Sequence, residues 1–423
     1  MVNKITGQRE LAYAVYVDAI EPIPGKDRVE CARVGGWTCM VPKDAFKVGD
    51  PGIYFEIDSK VPYDKDPFKF CEKYKGHIKI QKFKTPEGQF WSQGLLMSAK
   101  DFGWGIEFAQ FSGNFGYIID DKGNQHIPGE ESAFLTEQLG ITYYEVEDNK
   151  RKAAVNPDAK INAALARHPH IAKKYGKFIK KNKILRKVFL LLFGKKKDNI
   201  ATQFPTQFQF VKKTDQERAE NMTWVLNDKT PYIVTQKCDG SSGTYILARK
   251  PFGKFEFFVC SRNVRQLTPN QKSYYEENYY WECAIKYDIE NKMKDYLKKH
   301  PELEYICWQG EVCAPSIQKN PQGLTETHLF CFHMIDSKIG KYDIRDAVKI
   351  WKEYEMETVP IIDENYILPD DFEDFKKTAE GYYDASVCEG KTKQKREGFV
   401  YYKTTDPNFS FKNVSREYLL KHS

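Results

Sequence analysis

The sequence predicts an α+β protein in three parts: a small N-terminal β-barrel, a basic helical insert, and a C-terminal domain of antiparallel sheets with flanking helices. Three observations lead there. Short runs of alternating apolar and polar residues, separated by Pro, Gly and Asp turns, fill residues 11 to about 97. Positive charge is concentrated between Lys150 and Asp198, where sixteen Lys and Arg face two Asp; this local excess of +14 leaves −8 for the rest of a chain whose net charge is +6. From Phe204 onward, strand-like runs alternate with helical stripes.

The N-terminal strands are read in LAYAVYVDAI, VECARVGGWTCMVP and PGIYFEIDSKVP, divided by the turns EPIPGKDR and KDAFKVGD, and continue through HIKIQKF and FWSQGLLM. Their size and turn spacing suit an OB-fold, whose exposed strand face binds nucleic acid, and other small barrels would read the same. From Gly113 to Tyr144 no period emerges and no elements are assigned. This domain is set at residues 1–130, and 131–202 at a linker carrying the insert.

Within the insert, INAALARHPHIAKKYGKFIKKNKILRKVFLLLF has helical spacing broken at Pro169 and Gly176. A basic helical hairpin is expected. Three uses stay open: a solvated spacer, a nucleic-acid contact through Lys173, Lys174, Lys177, Lys180 and Lys181 with Tyr175, Phe178 and Phe189 interleaved, or an amphipathic surface helix.

In residues 203–423, YIVTQK and the run from Thr244 read as strands around the turn at Lys237 to Gly243. KFEFFVCSRN is a strand, and Ile285, Ile289, Met293 and Tyr296 mark the buried stripe of a helix ending near His300. YICWQGEVCAPSIQ and HLFCFHMI are strands, IRDAVKIWKEY is a helix, Gly381 to Arg396 is expected to be a mobile loop, and REGFVYYK and NFSFKNVS are the last strands.

No apolar run approaches the ~20 residues that a membrane helix needs, and the N-terminus lacks the apolar core and cleavage site of a secretion signal. No membrane association and a cytoplasmic location are expected. The ten cysteines form no C-x-x-C pair and no zinc-type spacing with histidine, which fits structural core residues in a reducing compartment.

Chemistry is concentrated around Lys237. A strand-end lysine becomes a nucleophile when desolvation or nearby positive charge lowers its pKa. Asp239 would project beside it, and Gly240 would let phosphates approach the backbone. The bland alternative is a hairpin with a polar turn. Glu311, Glu397 and Lys412 raise the reading above it, because each sits in or beside an apolar strand, where charges are avoided unless used. Two lysines with three carboxylates can hold a nucleoside triphosphate and divalent metal, with an aromatic stacked on the base.

The ordered set KCDGSSG, SRN, WQGEV, FCFHMI, EGFVYY and SFKN resembles motifs I, Ia, III, IIIa, IV and V of the covalent nucleotidyltransferases, the superfamily of ATP-dependent ligases and capping enzymes. The chain is most similar to the nick-sealing RNA ligases that carry an OB domain before the nucleotidyltransferase domain. The likeness covers roughly residues 11 to 105 and 203 to 420, through IEPIPGKDRVECARVGGW, FPTQFQFVKKTDQERAEN and APSIQKNPQGL among others. It implies an ATP-grasp-like adenylation domain at 203–423 in which Lys237 attacks the α-phosphate of ATP with Mg²⁺ or Mn²⁺ present. The AMP would pass to an RNA 5′-phosphate, and a 3′-hydroxyl would displace it. Asp239, Glu311 and Glu397 would bind ribose or the waters of the metal, and Lys412 the phosphates. Arg262, with Asn263 beside it, would touch ribose or the RNA 5′-phosphate. Phe332 would stack on adenine, with Phe330 as the alternative.

Three departures from the family pattern matter: Gln236 precedes the nucleophile where Glu is common, Ser410 takes the first lysine position of motif V, and His333 replaces an acid. The expected substrate is RNA with 3′-hydroxyl and 5′-phosphate ends, a nicked duplex, handled by a monomer. The competing readings are a capping-type guanylyltransferase or DNA ligase, and a non-enzymatic RNA-binding protein. The N-terminal barrel is expected to hold the duplex and to be separable from lysine adenylylation.

Overall fold

The computed structural model describes residues 1–108, 116–144, 202–213, 215–266, 278–389 and 394–422, together with Ile179, Leu185 and Phe189. In the N-terminal unit the strand Pro51–Phe55 is central, pairing antiparallel with Ala12–Tyr16 on one side and Leu95–Ser98 on the other. All five of its residues are buried, because this sheet has a core on each face. Ala12, Ala14, Ile53, Phe55 and Met97 join one cluster with Phe68, Trp104 and Ile118. Tyr13, Tyr54 and Leu96 join another with Val34, Trp37 and Val41 from the three-stranded sheet of Ala19–Pro22, Val29–Val34 and Trp37–Pro42. The period of two is kept, with apolar residues on both phases.

The stretch without a legible period contains the strands Gly116–Ile119, Gln125–His126 and Thr142–Tyr143. Strands of two to four residues are too short to show alternation. Ala133, Leu135 and Ile141 pack in the same core as Leu11 and Ala12, so the packed unit runs past the boundary expected at 130.

The C-terminal unit is built on two sheets. The larger runs in the order Thr202–Gln203, Val264–Arg265, Lys254–Ser261, Ser241–Lys250, Tyr305–Cys313, His328–Asp336 and Gly340–Lys341, all antiparallel. The smaller runs in the order Glu217–Arg218, Asp406–Val414, Gly398–Lys403, Tyr232–Lys237 and Ile361–Tyr366, with the first pair parallel. Ile233, Val400 and Tyr402 of the smaller sheet meet Tyr245, Trp308, Val312 and Met334 of the larger one in one core.

Two expectations change here. The stripe from Ile285 to Tyr296 is two helices, Tyr279–Lys286 and Ile289–Lys299, because Asp288 adopts a left-handed conformation (φ 49°) that resets the helical phase. Ile285 is consequently 65% exposed, while Ile289, Met293 and Tyr296 are buried as expected. The loop expected to be mobile is anchored in its described part: Tyr383 and Val387 are buried in a cluster with Cys238 and Phe332. Helix Ile344–Glu353 lies as predicted, with Ile344, Ala347, Val348 and Trp351 inward. Within the basic insert, Ile179, Leu185 and Phe189 are helical and the first and last are buried. Lys173, Lys174, Lys177, Lys180 and Lys181 lie outside the described residues. Among the described residues, no helix is long and apolar enough to cross a membrane.

Candidate active site

Lys237 ends the inner strand of the smaller sheet, and the next strand, Ser241–Lys250, belongs to the larger one. The turn between them therefore crosses from sheet to sheet, and Lys237 sits in the gap. Pairing of Lys237 with Gly398 brings Glu397 alongside, and the lysine ammonium donates to its carboxylate at 2.8 Å. Pairing of Ser242 with Glu311, and of Val400 with Lys412, places those two side chains on the same gap.

Gln236, Lys237, Gly240, Arg262, Glu311, Phe332 and Lys412 all line a single cavity of about 280 Å³. Glu397 borders it through Lys237, and Asp239 accepts a 2.5 Å hydrogen bond from the Tyr418 hydroxyl. Phe330 is outside the lining. It is buried and stacks on His328, with ring centres 5.6 Å apart. Asn263 lines a second cavity of about 260 Å³, which shares Lys213, Asp215 and Arg262 with the first. Arg262 pairs with Asp215 at 2.5 Å.

The electrostatics are those of an anion site facing an acidic site. Burial works against the charge of Lys237, but Glu397, Glu311 and Asp239 outweigh it and hold its pKa above the ordinary lysine value. Burial pushes Glu311 up to about 7, and burial with Glu397 nearby also raises Asp239. Burial and the neighbouring Arg218 and Arg9 bring Lys412 down to about 7. Charged groups held at such expense point to a ligand.

The departures from the family pattern acquire causes. Gln236 is committed at both ends of its amide, donating to the Gly398 carbonyl at 2.9 Å and accepting from the Asp384 backbone N–H at 3.3 Å. Ser410 accepts from the Gln216 side chain at 3.1 Å, and the lysine that joins Lys237 and Lys412 on the cavity wall is Lys213, whose pKa burial lowers to about 7. His333 is buried between Gln309 (3.1 Å) and the Tyr402 hydroxyl (3.4 Å), and burial keeps it neutral. Gly240 has a packing reason apart from any ligand: a Cβ there would lie 2.5 Å from the Val312 carbonyl oxygen and 2.7 Å from the Cys313 sulfur.

Three contributors escaped the sequence reading. Lys213 lies 5.6 Å above the Phe332 ring. Arg218 is buried, and its Nε and Nη1 have no hydrogen-bond partner among the described residues; its Nη2 lies 3.4 Å from Asp58. Tyr418 comes from the last helix, Arg416–His422. Both basic residues sit in the stretch FPTQFQFVKKTDQERAEN, where lysine and arginine among polar neighbours give no pattern that separates a buried cation from solvent-facing charge.

Among the described residues no three of His, Cys, Asp and Glu are gathered to ligate a metal ion directly. A small hard dication is commonly held by one or two carboxylates, with waters and substrate phosphates completing its shell. Asp239, Glu311 and Glu397, all acting on Lys237, fit that mode.

Residues 230–415 match the RNA ligase family model, and residues 11–98 match an OB-fold domain model. No curated protein sequence matches the chain. Among solved structures the chain is similar to mutants of Naegleria gruberi RNA ligase. One with ATP and manganese is 25% identical, with TM-score 0.65, covering 98% of this chain and 99% of the other. Another with AMP and manganese is 26% identical, with TM-score 0.64 and the same coverage. The same Naegleria ligase with pyrophosphate is 25% identical, with TM-score 0.63 and again 98% and 99% coverage.

Proposed function

We propose that this chain, an ATP-dependent RNA ligase with an N-terminal OB domain, seals nicks in RNA through an AMP carried on Lys237. The supporting observation is the placement of the Lys237 ammonium 2.8 Å from Glu397 in a cavity that Lys412 and Arg262 also line. In the first step the Lys237 amine forms a bond to the α-phosphorus of ATP and the bond to the β-phosphate bridging oxygen breaks, releasing pyrophosphate. In the second, an RNA 5′-phosphate oxygen displaces the lysine and takes the AMP. In the third, an RNA 3′-hydroxyl attacks that 5′-phosphate and AMP leaves. Lys412, with Arg218 beside it, and Lys213 are assigned to the phosphates, Phe332 to adenine, and Arg262 with Asn263 to the RNA end.

The resting lysine is an ammonium, so its proton must leave before it can attack. The chemistry that a divalent cation supplies at Asp239, Glu311 and Glu397 is positive charge, which offsets those carboxylates and stabilises the triphosphate. Tyr418 fixes one of the three. Nicked duplex RNA as substrate, a monomeric state and a cytoplasmic setting complete the reading. Ten free cysteines, nine of them buried, suit a reducing compartment.

Incubation with labelled ATP and separation under denaturing conditions tests the reading. A covalent AMP adduct should form with Mg²⁺ or Mn²⁺, vanish in excess chelator, and fall about 10²-fold or more when Glu311 or Glu397 becomes Ala. Undiminished labelling in chelator would contradict it. Tyr418→Phe should slow adduct formation about tenfold, as the loss of one hydrogen bond to a charged group implies, with little change in melting temperature.

A further inference from the structure

Outside the site, the N-terminal unit carries a surface whose composition fits nucleic acid. Phe70 and Tyr74 lie one turn apart on the short 3₁₀ helix Phe68–Tyr74, 60% and 44% exposed, while Phe68 and Cys71 of the same helix are buried. Single exposed aromatics are ordinary. Here two sit together among Lys65, Lys69, Lys73, Lys75 and Lys79, and the ammonium groups of Lys73 and Lys79 lie 5.6 and 6.0 Å from the centre of the Tyr74 ring. Asp64, Asp66 and Glu72 offset part of this charge, Asp66 through a 2.7 Å pair with Lys69.

The surface is joined to the active site by rings and cations. Lys75 ends the helix, and His77–Ile78 then pairs with Ser59–Lys60, which pairs in turn with Thr142–Tyr143. His77 stacks on Tyr144 with ring centres 3.6 Å apart and planes 2° from parallel. Tyr143 lines the second cavity beside Arg262. Running outward from Arg262, the order is therefore Tyr143, the Tyr144–His77 stack and the Phe68–Tyr74 helix.

We propose that this surface, centred on Phe70, Tyr74, Lys73 and Lys79, binds unpaired RNA nucleotides flanking the nicked duplex. Bases stacked within an A-form duplex offer no ring face, whereas unpaired bases stack on exposed aromatics while lysines take the flanking phosphates. A protein partner would use the same rings differently, and the test separates the two. The proposal rests on the RNA ligase reading and goes beyond it in naming the surface and the state of the RNA.

The test compares the intact protein with Phe70→Ala/Tyr74→Ala and with Lys73→Gln/Lys79→Gln. The probes are a nicked RNA duplex flanked by unpaired oligouridine and the same nick with fully paired arms. The aromatic pair should lose about tenfold or more in affinity for the unpaired probe and almost none for the paired one. The lysine pair should flatten the salt slope of log affinity by about 1.4. AMP transfer to Lys237 should be unchanged in both. Equal affinity of variants and wild type for the unpaired probe would overturn the proposal, as would equal losses on both probes, which would indicate duplex-backbone or general structural effects. Wild-type protein that accepts AMP but binds both probes alike would overturn this inference alone, whereas failure to form the adduct would strike the ligase reading itself.

Discussion

Lys237→Arg protein incubated with labelled ATP and Mg²⁺ is expected to remain unlabelled, a loss of more than about 10⁴-fold, of the size seen when a covalent nucleophile is removed. Arginine keeps the charge, so the contact with Glu397 and the fold should survive; melting temperature should therefore move little. Arginine cannot shed its proton near neutral pH, so no free pair is available to attack phosphorus. The lysine itself starts as an ammonium, because Glu397, Glu311 and Asp239 hold its pKa above the usual value despite burial. Sealing of RNA that already carries a 5′-adenylate does not need this nucleophile. That reaction should persist in the arginine variant, separating loss of chemistry from loss of the site. Retained labelling by Lys237→Arg would place the nucleophile elsewhere.

The site was legible wherever a charge interrupts an apolar strand. Glu311 and Lys412 announce themselves because strands such as YICWQGEVC exclude charge without a use for it, and Lys237 because a strand ends on it. Lys213, which lines the cavity, and Arg218 and Tyr418, which stand beside it against Asp58 and Asp239, were not legible, for a common reason: each comes from a stretch whose own pattern is polar or helical, and tertiary packing alone directs it there. The two-helix break at Asp288 was hidden in the same way. A left-handed residue resets the phase without disturbing the apolar spacing on which the single stripe was read. Phe332 rather than Phe330 on the cavity wall is likewise a packing outcome, since both are buried aromatics two residues apart in one strand.

Removing residues 1–130 is expected to abolish most AMP transfer to Lys237, contrary to the separability that the sequence suggested. The two units are not joined by a loose contact. The Trp37 indole N–H donates to Asn221 at 2.6 Å, and the Gly36 N–H to the Glu220 carbonyl at 2.7 Å. Glu56 is fully buried: burial would raise its pKa, but Arg9, the N-terminal ammonium and Arg218 hold it well below the usual carboxylate range. Asp58 pairs with Arg218 at 3.4 Å, and Arg9 stands beside Lys412 electrostatically. Val414 and Leu419, which flank the Tyr418 that holds Asp239, are buried in the same cluster as Trp37 and Val34. Deletion would therefore leave Arg218 and Glu220 short of partners and loosen the strand that carries Lys412 and the helix that carries Tyr418. Breaking buried charge pairs alone costs about 3 to 5 kcal/mol. The milder probe is Trp37→Ala in the full chain, which removes a fully buried indole and its hydrogen bond, about 3 to 5 kcal/mol. It should lower the melting temperature and slow AMP transfer together, although Trp37 does not line the cavity. If residues 131–423, folded and soluble, carried AMP at the full-length rate, the N-terminal unit would be a detachable RNA holder and this coupling would not exist.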